Sequence, residues 1–253
     1  MRSIKIAPDL EWYYLGPDIE KGPLPVLFYF ALSAEESLQL HPYNQLALFL
    51  THYPMRIFSI TLPCHGAGVD PTKALPAWAE KIRKGESFLS DFFTKTIRAI
   101  HYLIQRNIIV PKKTALAGLS RGAFIATHLA ARMPDIHYLL GFAPLTQLTF
   151  SKDFEDLQEN PLATSLNLIH QIPSLLHTKI RYYIGNHDTL VGTEIAFQFV
   201  QTLANSAYEQ RIRSPQVELL IGPSIGHKGH GTSTASFQEG AHWIAKQLEI
   251  ACE

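Results

Sequence analysis

At 253 residues the chain has the length of one large domain or two small ones, and α/β folds of this size are commonly one. Hydrophobic residues make up 46% and charged residues 17%, which excludes a disordered chain and fits a compact one with a substantial core. Lys plus Arg balance Asp plus Glu at 22 each, so no broad basic surface for nucleic acid or an anionic membrane is implied. The two cysteines, Cys64 and Cys252, lie far apart in the sequence and argue for neither a disulfide framework nor a zinc site. The opening MRSIKIAPDLEWYYLGPD has no apolar leader core, and no apolar run reaches membrane-spanning length. A cytoplasmic protein with no stable membrane insertion is therefore expected.

In chain order, residues 1–22 read as an edge-strand lead-in. Ile4 and Ile6 alternate with polar residues, and Trp12 to Tyr14 can pair a first hairpin. Pro25 to Phe30 is an almost unbroken apolar run, the pattern of a strand buried on both faces. Leu38 to His52 reads as a helix, with Leu46 and Leu50 on one face. Met55 to Leu62 reads as a strand, followed by the Gly-rich loop Pro63-Cys64-His65-Gly66-Ala67-Gly68. A short helix is expected around Trp78. Phe88 to Gln105 is amphipathic at helical spacing through Leu89, Phe92, Phe93, Ile97, Ile100 and Leu103.

Thr114 to Phe124 then carries the most informative stretch. A short apolar strand leads into Gly118-Leu119-Ser120-Arg121-Gly122, and a helix follows as far as Met133. G-x-S-x-G between a strand and a helix is the pattern of a nucleophile elbow. The turn is tight enough to demand glycine on both sides of the serine, and it lifts the hydroxyl clear of the sheet. The bland alternative is a Gly-rich turn with an incidental serine. His137 to Phe142 is another strand. Residues 144–176 read as an insertion with short helices, whose Leu, Ile and Phe residues suggest an apolar substrate face. Lys179 to Ile184 (strand), Gly192 to Leu203 (helix), Gln216 to Ile221 (strand) and Phe237 to Glu249 (helix) complete the pattern.

Alternating strands and helices imply βαβ units, a mainly parallel sheet and helices on both faces. Ligands of such sheets sit beyond the carboxyl ends of the strands. Ser120, Asp188, His227 and His230 all follow predicted strands, so they are expected to cluster there. A serine hydroxyl needs a base within hydrogen-bond reach, and the base needs an acid to fix its tautomer. The chain offers them in the order Ser, Asp, His.

On these residues the sequence resembles the α/β-hydrolase superfamily, from about Pro25 to Leu248. Ile60 to Gly66 is similar to the family's strand-end loop, Gly118 to Gly122 to its elbow, Gly185 to Val191 to its acid loop, and Val217 to His227 to its last strand and G-H loop. The resemblance implies an α/β-hydrolase fold, mainly parallel, as a single domain over residues 1–253 with a small cap at about 144–176. It implies a serine hydrolase acting on a carboxylic ester or thioester of a small acyl substrate, without cofactor or metal. Ser120 would be the nucleophile and Asp188 the acid, whose alternative role is a turn or helix cap. Two histidines compete as the base; their distance from the last strand and helix favours His227 over His230. The loser, like His65 and His187, would serve structure or line the pocket. The backbone N–H groups of Leu32 and Arg121 are the expected oxyanion donors, although Phe30-Ala31-Leu32 replaces the family's His-Gly. The Arg121 side chain could reach an acidic substrate group or simply pack on its helix. Cys64 reads as a small buried filler. A serine peptidase and a catalytically silent binding protein are the alternatives, and the oligomeric state is open, a homodimer included.

Overall fold

The computed structural model describes residues 1–8, 10–66 and 68–252. Asp9 in the lead-in, Ala67 in the Gly-rich loop and Glu253 lie outside the described residues.

The lead-in folds as an antiparallel hairpin of β1 (Arg2–Ala7) and β2 (Leu10–Leu15). The remaining strands are β3 (Leu24–Phe30), β4 (Arg56–Ser59), β5 (Ile109–Leu119), β6 (Tyr138–Phe142), β7 (Lys179–Gly185) and β8 (Val217–Gly222). They join one sheet in the order β1-β2-β4-β3-β5-β6-β7-β8. β2 meets β4 antiparallel, and every pairing from β4 to β8 is parallel. β3 shows why its apolar run is continuous. Val26, Phe28 and Phe30 enter the core on one face, while Leu27 and Tyr29 enter the core on the other. Successive side chains of a strand point to opposite faces, so a strand covered on both sides needs apolar residues at every position.

Helices α1 (Ala34–Gln39), α2 (Gln45–Leu50) and α9 (Thr234–Gln247) cover the Leu27 face. The opposite face is covered by α3 (Ala74–Arg83), α4 (Phe88–Gln105), α5 (Arg121–Ala130) and α8 (Thr193–Glu209). Residues 144–176 form short turns and the helices α6 (Pro161–Ser165) and α7 (Ile172–Leu175). Their apolar residues, among them Leu148, Phe154, Leu168 and Leu175, are buried in the same core as α5 and α8.

Some boundaries differ from expectation for identifiable reasons. The helix expected over Leu38 to His52 is two helices, broken where Leu40 turns extended before His41-Pro42. Pro42 has no N–H to give the Leu38 carbonyl and its ring crowds the preceding turn, so α1 cannot continue through it. α8 runs on to Glu209 because Ala207 continues the buried face of Ala196, Phe199 and Leu203. β4 is shorter than the expected Met55–Leu62, since its ladder with β3 ends at Phe28 and Phe58. One tie was not legible at all. Arg56 is fully buried in β4, and its guanidinium donates to the carbonyls of Pro17 (2.8 Å), Gly22 (2.9 Å), Ile108 (2.6 Å) and Asp18. It thereby joins the turn after β2 to the entry of β5.

His128 of α5 is buried between Phe93 and Phe124, with ring centroids at 4.8 and 4.5 Å. It lies 2.9 Å from the Leu166 carbonyl through Nε2, which must carry the proton, and its Nδ1 accepts from Arg132 at 3.0 Å. Burial, reinforced by the Arg132 charge, pushes its pKa from 6.5 down to about 3. Between those values the unfolded chain binds a proton that the folded one refuses. Stability from this residue is therefore complete above pH 6.5 and falls as the pH drops toward 3. Urea unfolding at pH 5 and pH 7 tests this. His128→Gln should flatten the pH dependence of the unfolding free energy by about 1.4 kcal/mol per pH unit near pH 5. An unchanged slope would contradict the assignment.

Candidate active site

The site is built at the carboxyl end of β5. Ser120 joins β5 to α5 with φ 56° and ψ −118°, a conformation that L-residues seldom adopt. Its N–H is anchored to the Phe142 carbonyl at 2.8 Å. The flanking glycines are steric requirements. A Cβ on Gly118 would lie 2.2 Å from the backbone carbon of Gly122, and one on Gly122 would lie 1.9 Å from the Phe30 carbonyl oxygen. The crowding expected around Ser120 is thus present, and it extends to β3.

Ser120 Oγ lies 2.9 Å from His230 Nε2, and His230 Nδ1 lies 2.7 Å from Asp188 Oδ2. A neutral imidazole with its proton on Nδ1 satisfies both bonds, donating to the carboxylate and accepting from the hydroxyl. Asp188 is buried after β7, and its other oxygen accepts the N–H groups of Leu190 (2.9 Å) and Val191 (3.2 Å). One oxygen of Asp188 thus holds its own turn, and the other is left to the imidazole of His230.

The histidine that meets Ser120 and Asp188 is His230, where the sequence register favoured His227. His227 is exposed at the far side of the loop after β8. Gly226, Lys228 and Gly229 all have positive φ, at 72°, 54° and 74°. The loop closes where Gly231 N–H donates to the Ile225 carbonyl at 2.7 Å. These left-handed residues coil an additional turn, carry His227 outward and return the chain to the site at His230. Gly229 fits because a Cβ there would lie 2.2 Å from the His187 carbonyl oxygen. The Lys228 carbonyl also accepts from Thr189 N–H at 3.0 Å, locking this loop to the Asp188 loop.

Leu32 is the second departure. Its N–H donates to Ser37 Oγ at 3.1 Å, and the Ala31 N–H shares the same oxygen at 3.2 Å. The Ser37 hydroxyl is buried and donates onward to the Ser33 carbonyl at 2.6 Å. Leu32 N–H is therefore engaged rather than free to face the serine. Ser33 and Glu36 form a capping box that sets this turn. That box was readable from Ser-x-x-Glu, but Ser37's hold on the loop was not. The Arg121 N–H opens α5, where no intrahelical acceptor exists.

Three further residues singled out by the sequence are His187, His65 and Cys64. His187 is exposed. His65 is buried, and its Nε2 lies 3.2 Å from Arg121 Nη1. Burial chiefly lowers the His65 pKa to about 4. Cys64 packs beside the core, and burial raises its thiol pKa. Among the described residues no group of three or more His, Cys, Asp or Glu side chains is placed to hold a metal ion. None of their helices is long and apolar enough to cross a membrane.

Two cavities meet at Ser120, Arg121 and His230. The smaller, of about 280 Å³, has Ala31, Leu32, Tyr43 and Phe237 in its wall. The larger, of about 1080 Å³, is walled by residues of the 144–176 segment such as Thr149, Lys152, Glu155 and Asn167. That wall is more polar than the sequence suggested. Most apolar residues of the segment turn inward to the core, and Phe150 is among the few that reach the cavity.

No family model matches the chain. Over 208 residues it is 24% identical to the acylamino-acid-releasing enzyme of Arabidopsis thaliana, covering 73% of this chain and 25% of that protein. It spans between 25% and 29% of the length of the curated relatives it matches. Among solved structures, TT1662 from Thermus thermophilus superposes with a TM-score of 0.68 at 16% identity, covering 98% of this chain and 99% of that one. A cold-adapted esterase from an Arctic intertidal metagenomic library gives 0.65 at 18% identity, covering 94% and 88%. By sheet order and these likenesses, the chain is an α/β-hydrolase in fold.

The geometry separates the two histidines by experiment. His230→Ala should lower the rate of fluorophosphonate labelling by about 10³-fold or more, while His227→Ala labels at the wild-type rate. The opposite pattern would return the base to His227.

Proposed function

We propose that the chain is a serine hydrolase that cleaves a carboxylic ester or thioester of a small acyl substrate through an acyl-enzyme. One observation carries the reading: the unbroken relay from Ser120 Oγ to His230, at 2.9 Å, and from His230 to buried Asp188, at 2.7 Å. In the first half-reaction Ser120 Oγ bonds to the acyl carbon while His230 Nε2 takes the hydroxyl proton. The tetrahedral adduct then expels the alkoxide or thiolate, which receives that proton from His230. In the second, water attacks the acyl carbon, His230 takes its proton, and the carboxylic acid leaves as the proton returns to Ser120. Asp188 keeps the imidazole oriented and stabilises its positive charge in both halves. The steps need only these side chains and water.

Arg121 N–H is our candidate for one oxyanion donor. Leu32 N–H becomes a second only when the Ser37 hydroxyl gives it up. One hydroxyl shared by two N–H groups at 3.1 and 3.2 Å sits at the long end of such bonds, which eases that exchange. A donor of this kind is worth about 10²–10³-fold in rate. We read residues 1–253 as one catalytic domain whose 144–176 segment walls the larger cavity.

A peptidase is the second reading, favoured by the name of the acylamino-acid-releasing relatives. p-Nitrophenyl esters of rising acyl length, assayed beside N-acetylalanine p-nitroanilide, distinguish the two. We expect the short esters to be cleaved with the higher kcat/KM, and Ser120→Ala to remove at least about 10⁴-fold of it. Cleavage of the anilide alone would favour the peptidase. Cleavage of neither would refute the hydrolase reading.

A further inference from the structure

The Arg121 guanidinium is a cation with only neutral partners. Nη1 donates to the Pro71 carbonyl at 2.7 Å and to His65 Nε2 at 3.2 Å. His65 has its Nδ1 2.9 Å from the Pro63 carbonyl, so Nδ1 carries the proton and Nε2 offers a lone pair. Burial keeps this imidazole uncharged near neutrality. Arg121 Nε is buried and has no hydrogen-bond partner, and Nη2 makes no hydrogen bond among the described residues. No carboxylate among those residues lies within ion-pair distance of it. Arginine stays protonated in proteins and presents five N–H donors in a planar fork suited to a carboxylate. Asp153 attracts the guanidinium only from beyond ion-pair distance, so this partly buried charge has no contacting anion, and an arriving one would relieve that.

The position of the group matters as much as its lack of a counter-ion. Arg121 follows Ser120 directly and lines both cavities. The larger cavity carries the carboxylates of Asp153, Glu155 and Glu159 beside the ammonium groups of Lys152 and Lys228, so its cations already face anions in the same wall. The smaller one has no carboxylate in its wall. Its polar side chains are those of Tyr43, Thr72, Ser120, Arg121, His230 and Thr232, set among apolar ones. At about 30 Å³ per water-sized group, a 280 Å³ space admits a chain of a few carbons ending in a carboxylate.

We infer that Arg121 is an anion subsite in the smaller cavity and that the substrate is an ester whose portion bound there ends in a carboxylate. This rests on the serine-hydrolase reading. The pairing would let the binding of the remote carboxylate position the scissile carbonyl against Ser120.

Two substrate pairs test it, because the carboxylate can belong to the acyl or to the alcohol portion. The acyl pair is 4-nitrophenyl hemiglutarate against 4-nitrophenyl valerate. The alcohol pair is 4-acetoxybutanoate against butyl acetate. In at least one pair the wild type should favour the anionic member by about tenfold or more in kcat/KM, and Arg121→Gln should lower that anionic-to-neutral ratio by about tenfold or more. Arg121→Lys should restore part of it. No preference in either pair, or a ratio that Arg121→Gln leaves unchanged, overturns the inference and makes Arg121 a structural tie between His65 and Pro71. Binding is read separately, without catalysis. Glutarate at constant ionic strength should raise the Tm of the wild type, and glutaramide should not. If glutarate gives no shift, the anion subsite is refuted. If the shift is present while no ester is cleaved, the subsite stands and the hydrolase reading fails.

Discussion

The tight contact among Gly118, Gly122 and Phe30 governs the site. A Cβ on Gly122 would sit 1.9 Å from the Phe30 carbonyl oxygen, so α5 can leave Ser120 at its observed angle only while that position carries no side chain. The helix then lies against the ends of β3 and β5 at once. Three consequences share this cause. Ser120 is held at φ 56° with its hydroxyl facing His230. The first N–H of α5 opens beside that hydroxyl. The Arg121 side chain is directed across the sheet end to His65 and Pro71. Strain at the serine persists because the packing around it leaves no alternative.

The fold was legible because its signals are local. Unbroken apolar runs such as Pro25 to Phe30 mark strands covered on both faces, and the amphipathic stretch from Phe88 gives α4 its observed span. Ser120 and Asp188 were legible for the same reason, since each sits within a few residues of a recognisable strand end. What failed was register across loops. His227 and His230 both follow glycine, and only the left-handed residues at 226, 228 and 229 decide which returns to the site. Glycine can adopt that geometry, but its presence does not show that it does so. Lys228 gives no such signal. Ser37 and Arg56 were missed because their partners are backbone carbonyls and N–H groups, which every sequence contains and no pattern marks.

The 144–176 segment shows a related limit. Its Leu, Ile and Phe residues suggested an apolar roof, but a short insertion must first bury its own apolar side chains. Leu148, Phe154, Leu168 and Leu175 do so against the core of the sheet, and polar residues are left to wall the larger cavity. The two cavities at Ser120 therefore differ in kind. One is wide and carries charges of both signs, whereas the other is small and largely apolar with a single cation.

The central claim is that the relay through His230 makes Ser120 the one activated serine of the chain. Peptide mapping by mass spectrometry after treatment with diisopropyl fluorophosphate tests it directly. The account predicts a single adduct, on the peptide containing Ser120, that is lost when His230 is replaced by alanine. An adduct on another serine, or none under conditions that modify a known serine hydrolase, would contradict it.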